Sequence, residues 1–292
     1  LTPYPSCSGY AKLVVFNFFR FLLKVVGLDR LLPVFTKNKG YDNFFVKCLP
    51  QNYQYSSGTF RKVKRNGVWF NLDLSEYMEW VIYFDLNVEN REDLYPLISD
   101  GAVVFDVGSN IGETALHFAK ISGRNGRVIG FEPVPDTYRK CSLNLSLNNF
   151  SNLKVENIAI SDKREVLYFD PATYNNSGGI FMKKGATDTT LSVEAMTLDE
   201  YCFANKVEKL DFVKVDVEGF ELNVLKGATV VLEKLRPVLY VEINNHNLSR
   251  QNASAAEVIG LLKNAGYLIQ RCGGGEVLTG PDSHFDIIAR PV

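Results

Sequence analysis

The sequence predicts an α/β domain built on a mostly parallel, doubly wound sheet, preceded by a smaller segment of mixed character. Three observations carry this. From Gly101 onward, short apolar runs alternate with stretches of helical period. The runs are too rich in Val, Ile and Phe to be half exposed, as expected of strands covered on both faces. The first run passes through a glycine-bearing turn straight into a helix, in "VVFDVGSNIGETALHFAK", Val103 to Lys120.

The central strands read as Val103 to Val107, Arg127 to Glu132, Leu153 to Ala159, Leu210 to Asp216 and Pro237 to Glu242. Helical patterns separate them: "GETALHFAKIS", "PDTYRKCSLNLSLN", "TLDEYCFA", "ELNVLKGATVVLEK" and "AAEVIGLLKNAG", the last with Gly266 as its stop. "YLIQRC" and "HFDIIARP", joined by a glycine turn, read as two further strands, antiparallel to each other. Between the third and fourth strands lies a polar insertion with strand-like ends, "REVLYFDPATYNNSGGIFMKKGATDTTLSVEAM". It is too long for an ordinary connection and suits a substrate loop.

Ahead of this domain, residues 1–100 form an extension and 101–292 the domain proper. The extension holds an Asn-Gly hairpin signal in "RKVKRNGVWFNLDL", then the helical stretches "SEYMEWVIYFD" and "REDLYPLI". Its start, "AKLVVFNFFRFLLKVVGLDRLLPVF", is strongly apolar, but Arg20 and Lys24 interrupt it, so it lacks the uninterrupted run of a spanning helix. It reads as a helix packed on the main domain or on a second copy, or as one making peripheral contact with a membrane surface. The expected location is cytoplasmic, with membrane association left open, and the oligomeric state is not legible.

Composition excludes less. Among 292 residues, 32 basic against 33 acidic ones leave no global field to attract a polyanion, so nucleic acid is not the expected partner. The five cysteines are odd in number and widely spaced, with no Cys-x-x-Cys pair, and read as reduced thiols. The Asn-x-Ser sequons carry little weight, one falling at Asn144 inside a predicted helix.

In an open parallel sheet, ligands lie at the carboxyl ends of the strands where strand order reverses. The turn Asp106-Val107-Gly108-Ser109-Asn110-Ile111-Gly112 falls at such an end, with Thr114 opening the helix behind it. Gly108 would let the backbone approach a ligand, and Gly112 would permit close packing of helix and sheet. Twenty residues after Gly112, Glu132 ends the next strand before Pro133, and its two oxygens match the vicinal hydroxyls of a ribose. That acid suits a nicotinamide dinucleotide or an S-adenosyl nucleoside equally. The turn discriminates: Asn110 stands where a dinucleotide fingerprint has its second glycine, and Asp106 would repel a pyrophosphate but welcome an ammonium beside a sulfonium.

Val104 to Gly112 with Glu132-Pro133 resembles the first two motifs of Rossmann-like, class I S-adenosylmethionine-dependent methyltransferases. More narrowly, "TLDEY", "LDFVKVDVEGFELNVLKGA", "LRPVLYVEIN" and the earlier "NLDLSEYMEWVIYFD" resemble the FkbM family, over about residues 60 to 290. The resemblance implies a seven-stranded sheet with an antiparallel last strand. It also implies transfer of a methyl group from S-adenosylmethionine to a hydroxyl oxygen, often of a sugar in a glycolipid, polysaccharide or natural product, releasing S-adenosylhomocysteine. Asp106, Gly108, Ser109, Asn110, Gly112, Thr114, Glu132 and Pro133 then hold the donor, and Asn157, Ala159 and Ser161 are the candidates for adenine.

The residues of "KVDVEGFE" suit a reaction site. Lys214, Asp216 and Glu218 are spaced by two and share one side if the strand persists, while Glu242 ends the neighbouring strand and His246 follows on its loop. A sugar hydroxyl is a poor nucleophile, so a carboxylate or His246 takes its proton, or Asp216, Glu218 and Glu242 hold Mg²⁺ or a similar divalent cation that binds it. Lys214 fits a direct role or a structural ion pair equally. His117 reads as a packed histidine and His284 stays off the list. The acceptor would be gripped by Tyr77 to Asp85 and by Tyr174 to Thr190. Two other classes remain as alternatives: a nicotinamide-dependent oxidoreductase, and a binding module of the same fold that has lost activity.

Overall fold

The structure is a computed structural model and describes residues 7–87, 91–169, 182–183 and 191–292. The described residues fall into two compact units, one over residues 7–87 and one from residue 91 onward.

The first unit opens with helix α1 (Cys7–Val25), a 3-10 turn (Leu28–Arg30) and the short helices α2 (Pro33–Thr36) and α3 (Phe44–Lys47). Strands β1 (Phe60–Arg65) and β2 (Val68–Asp73) form the expected hairpin, turning at Asn66 and Gly67 with φ of 45° and 87°. Positive φ at both positions matches the right-handed twist of the paired strands. Helix α4 (Tyr77–Tyr83) follows. Trp80, Phe70, Phe84, Leu49, Leu72 and Leu74 are all but fully buried and make this unit's core. The segment Tyr77 to Asp85 is therefore mostly core, with Trp80 to Phe84 all buried. Among the described residues no helix is long and apolar enough to cross a membrane.

The second unit contains α5 (Arg91–Leu94), β3 (Val103–Val107), α6 (Glu113–Ser122), β4 (Arg127–Phe131), α7 (Pro135–Ser146), β5 (Leu153–Glu156), β6 (Ala159–Ile160), β7 (Glu165–Phe169), β8 (Met182–Lys183) and β9 (Leu191–Met196). It continues with α8 (Leu198–Ala204), β10 (Phe212–Val215), α9 (Glu221–Lys226), β11 (Val238–Asn244), α10 (Asn245–Arg250), α11 (Ala255–Asn264), β12 (Tyr267–Arg271) and β13 (His284–Pro291). Seven of these strands form one sheet in the order β12-β13-β11-β10-β3-β4-β5. The pairs β11-β10-β3-β4-β5 are parallel, and β13 is antiparallel to both neighbours, as expected. From β3 the chain steps outward to β4 and β5, then returns to β10 on the other side of β3. The order reverses between β3 and β10.

Neighbouring residues of one strand serve opposite cores, which is why the strands read as unbroken apolar runs. Phe105, Val107, Val213 and Val215 join Tyr201, Leu222, Leu225, Val258 and Leu262 on one face. Val104, Val128 and Phe212 join Phe118, Ala119, Leu94 and Ile98 on the other. Phe105 packs edge-on against Phe131 and Tyr201, with ring centroids 5.4 and 5.7 Å away.

Two predicted elements are cut. The run Leu153 to Ala159 is one strand only as far as Glu156. Asn157 turns its side chain to the carbonyls of Glu132 and Pro133, and Ala159 then pairs with Ala195 in a separate four-stranded sheet, β6-β9-β7-β8. The ends of the polar insertion form that sheet's antiparallel pair β7 and β9. The helical run from Glu221 to Lys234 breaks at Gly227, the C-cap of α9, where the Ser161 carbonyl oxygen lies 2.1 Å from where a Cβ would stand and leaves room for glycine alone.

Replacing Phe105 by Ala should destabilise the protein by about 3–5 kcal/mol, as for other large aromatic truncations in a closed core. Denaturant titration followed by circular dichroism would measure it, with the slope of the transition unchanged.

Candidate active site

The parallel register places Lys214 of β10 directly opposite Asp106 of β3. Asp106 is completely buried. Its Oδ2 accepts a hydrogen bond from Thr114 Oγ1 at 2.7 Å, whereas Oδ1 accepts none and lies 3.9 Å from the Lys214 ammonium. Lys214 donates to Asp216 Oδ2 at 2.9 Å. A buried ammonium is tolerated only with such partners. Burial raises the Asp106 pKa above the ordinary carboxylate value against the opposing Lys214 charge. Burial alone would lower the Lys214 pKa, but Asp216 and Asp106 hold it above its ordinary value. The sequence spacing of Lys214 and Asp216 thus does place them on one side.

The turn after β3 is held tightly. Ser109 is buried, with its hydroxyl on the Asp106 carbonyl at 2.8 Å, and the Gly108 and Ser109 amides both donate to the Phe131 carbonyl. Gly108 has φ of 89°, and the space a Cβ would fill is taken by the Asp216 carbonyl oxygen at 1.8 Å. Its glycine is needed for the approach of two strand ends, where the sequence suggested approach to a ligand. Gly112, with φ of 87°, sits against Cys141 and Leu145 of α7, so its close packing is helix against turn. Asn144 of α7 is buried and donates to the Ile111 carbonyl.

Glu132 follows β4 and is buried, each carboxylate oxygen accepting one backbone N–H: Oε2 from Asn110 at 2.9 Å, Oε1 from Val134 at 3.0 Å. Each oxygen keeps a second lone pair, so a diol can still bind. Burial pushes its pKa up to about 7. Asn157 lies beside it, bonded to the carbonyls of Glu132 and Pro133. The other two adenine candidates are turned elsewhere: Ala159 is buried in the second sheet, and the Ser161 hydroxyl bonds Asp162 and Glu165.

The strand carrying Lys214 does not persist to Glu218. It ends at Val215, and Glu218 takes φ of 54° before Gly219 at 108°. A non-glycine residue in this region is strained and must be held by its surroundings. Glu221 and Asn247, neither singled out by the sequence, do so. The buried Glu221 Oε1 accepts the amides of Val217 and Gly219, both at 3.1 Å, and Asn247 Nδ2 donates to Glu218 Oε2 at 2.6 Å. Burial, with the charges of Asp216 and Glu242, pushes the Glu218 pKa up to about 8, and burial pushes Glu221 up to about 7.

Glu242 ends on the same edge, its pKa raised by burial and by Asp216. His284 Nε2 lies 3.2 Å from Glu242 Oε1, and the hydrogen bond to Glu242 raises the histidine pKa. His284, which the sequence left aside, therefore joins the acids. His246 stands exposed on α10. The topology explains the exchange: β13 runs antiparallel, so its first residue lies at the carboxyl edge of the parallel strands. His117 is a packed histidine, its Nδ1 2.8 Å from the Glu113 carbonyl and its ring beside Tyr95. Among the described residues no group of three or more His, Cys, Asp or Glu is arranged to hold a metal ion, so Asp216, Glu218 and Glu242 are not a preformed cage. Of the expected loop Tyr174 to Thr190, only Met182 and Lys183 lie within the described residues.

A seven-stranded sheet with this order, an antiparallel β13 and a glycine turn with an acid at the switch point is the Rossmann-like architecture of class I methyltransferases. The sequence profile of the methyltransferase FkbM domain matches residues 106–269, and the chain belongs to that family. It is 31% identical over 162 residues to the hexuronic acid methyltransferase AglP of Haloferax volcanii, an alignment covering 54% of this chain and 64% of that protein. It is 26% identical over 175 residues to the 2-O-methyltransferase NoeI of Sinorhizobium fredii, covering 55% of this chain and 70% of the other. The crystal structure of a methyltransferase FkbM from Methylobacillus flagellatus aligns with 66% of this chain and 44% of its own at 18% identity, with a TM-score of 0.45.

Two outcomes follow from this geometry. Gly108→Ala, which drives a Cβ into the Asp216 carbonyl at positive φ, should cost roughly 2–4 kcal/mol of stability in the same denaturant titration. Glu132, Glu221 and Glu218 each bind a proton more tightly folded than unfolded, since their pKa values rise from 4.5 to about 7, 7 and 8. Their contribution to stability is complete below about pH 4.5 and declines as pH rises towards 8. The melting temperature should fall between pH 5 and 8, with a shallower slope in Glu218→Gln.

Proposed function

We infer that the protein is an S-adenosylmethionine-dependent O-methyltransferase whose acceptor is a hydroxyl of a sugar, in a glycolipid, polysaccharide or glycosylated natural product. The observation that carries the donor assignment is the unsatisfied, fully buried Asp106 Oδ1 at the glycine turn. A buried carboxylate oxygen without a donor calls for one, and the ammonium of a methionine moiety supplies both the N–H and the charge. The donor would also take the remaining lone pairs of Glu132 on its ribose hydroxyls. The acceptor assignment draws support from the relatives' names, one a hexuronic acid methyltransferase and one a 2-O-methyltransferase.

When bound, the donor supplies an electrophilic methyl group on a sulfonium. The chain's own residues supply alignment and a proton acceptor, because in-line displacement depends on positioning and a sugar hydroxyl must lose its proton. Glu218 is the base in this reading. Asn247 fixes its Oε2, so Oε1 is the oxygen offered to the acceptor hydroxyl, and a pKa of about 8 matches the task better than an ordinary carboxylate would. Asp216, paired with Lys214 at 2.9 Å, lies beside it. A nicotinamide reaction is less well served, since an acid at position 106 disfavours a pyrophosphate at this turn. Divalent-cation assistance would require Asp216, Glu218 and Glu242 to close together around the ion.

A panel of glycans and glycolipids incubated with S-adenosylmethionine, scored by the mass of one added methyl group, tests the reading. Methylation of a sugar hydroxyl is expected, with rate rising with pH through about 8. Glu218→Gln should reduce turnover by roughly a hundredfold or more while leaving donor affinity unchanged. Unaltered turnover in that variant would remove Glu218 from its role.

A further inference from the structure

We propose that residues 18–47 of the first unit form a platform that docks on an anionic lipid surface. The proposal is independent of the reading of the catalytic site. It begins with an excess of exposed apolar area: of the 24 large hydrophobic side chains exposed among the described residues, 13 fall between Phe18 and Phe45. Phe18, Val34 and Phe44 are 62%, 79% and 68% exposed. Phe35 stacks on Phe45 at 5.2 Å, and Phe44 meets Phe45 edge-on at 5.7 Å, so these rings form a cluster in the open. Isolated exposed apolar residues are ordinary, but a cluster of this size marks a surface meant to be covered.

The platform is built, because its inner side is anchored by polar groups that face the unit's core. Asp29 is completely buried and accepts Tyr55 Oη at 2.7 Å and Arg61 at 2.8 Å. The Thr36 hydroxyl, also buried, donates to the Phe84 carbonyl at 2.6 Å, and Trp80 Nε1 donates to the Pro50 carbonyl at 2.8 Å. The Asp29 and Thr36 bonds fix which side of the 3-10 turn and of α2 points inward, and in α3 the buried residue is Val46. The rings of Phe35, Phe44 and Phe45 take the other side.

Charge identifies the occupant. Residues 7–48 carry seven basic and two acidic side chains in a chain whose total is -1. One of the two acids, Asp29, is buried against Arg61. Arg30, Lys37, Lys39 and Lys47 are exposed among the apolar residues, and Arg20 and Lys24 lie over the Phe16 and Phe21 rings at 4.8 and 5.4 Å. Apolar rings with cations at their margin match the boundary between acyl chains and anionic headgroups, where long basic side chains reach outward. A second copy of the same face would bring like charges together.

Sedimentation of the full chain with extruded vesicles tests the proposal. Vesicles with about one third phosphatidylglycerol should carry the protein down and release it as salt rises, whereas pure phosphatidylcholine should retain little. The double variant Phe35→Ser, Phe44→Ser should bind the anionic vesicles roughly tenfold less or weaker still. Lys37→Glu with Lys39→Glu should lose about fivefold or more and the preference for anionic lipid. Both pairs are exposed, so thermal melts should match the parent. Absence of vesicle binding, or binding that neither double variant changes, overturns the proposal. So does a dimer in sedimentation velocity that Phe35→Ser, Phe44→Ser dissociates.

Discussion

A buried ammonium that must find carboxylates organises the second unit. Lys214 lies in the middle of the sheet, and a charge there is sustained only by partners fixed within reach. Asp106 stands opposite it across the β3-β10 register, and Asp216 lies two residues along its own strand. Because the register slips only in whole residues, a shift of one would carry Lys214 away from its position opposite Asp106 and leave that acid without its counter-charge. The electrostatic pairing therefore holds together the two strands between which the order reverses.

From that lock the remaining geometry follows by short steps. The β3 turn passes so close to the end of β10 that only glycine fits at position 108, and the same turn presents the Asn110 amide to Glu132. That turn is thus tied to the end of β4 by hydrogen bonds. Beyond β10, the strained loop at Glu218 is held by Glu221 and Asn247, and Glu242 is held by His284. Burial is the largest influence on Glu132, Glu218, Glu221 and Glu242 alike, and it raises every one of them. Carboxyl groups raised towards neutrality, as Glu218 is to about 8 and Glu221 to about 7, are suited to proton transfer at ordinary pH.

Much of this was legible in the residues. Strands buried on both faces announce themselves as unbroken apolar runs, and the turn with Asp106 and Glu132 at its sides carries its chemistry in local spacing. What sequence could not show is long-range or strained. Period-two spacing put Glu218 on a strand, while the Glu-Gly pair was the one sign of a turn with positive φ. Asn247 and Glu221 act by hydrogen bonds to a neighbouring loop, which no spacing reveals. His284 was within reach of reasoning: an antiparallel last strand must begin at the edge where the parallel ones end. The third strand was read too long because Val155 and Ala159 are both apolar, though they serve different sheets.

The proposed function requires the Asp106 turn to receive the charged methionine end of a nucleoside rather than a pyrophosphate. Calorimetric titration of the intact chain with S-adenosylmethionine, beside a parallel titration with NAD, addresses it most directly. One saturable site for S-adenosylmethionine is expected, lost in a folded Asp106→Asn variant, with no saturable heat from NAD. Saturable NAD binding, or S-adenosylmethionine binding equally well to Asp106→Asn, would contradict it.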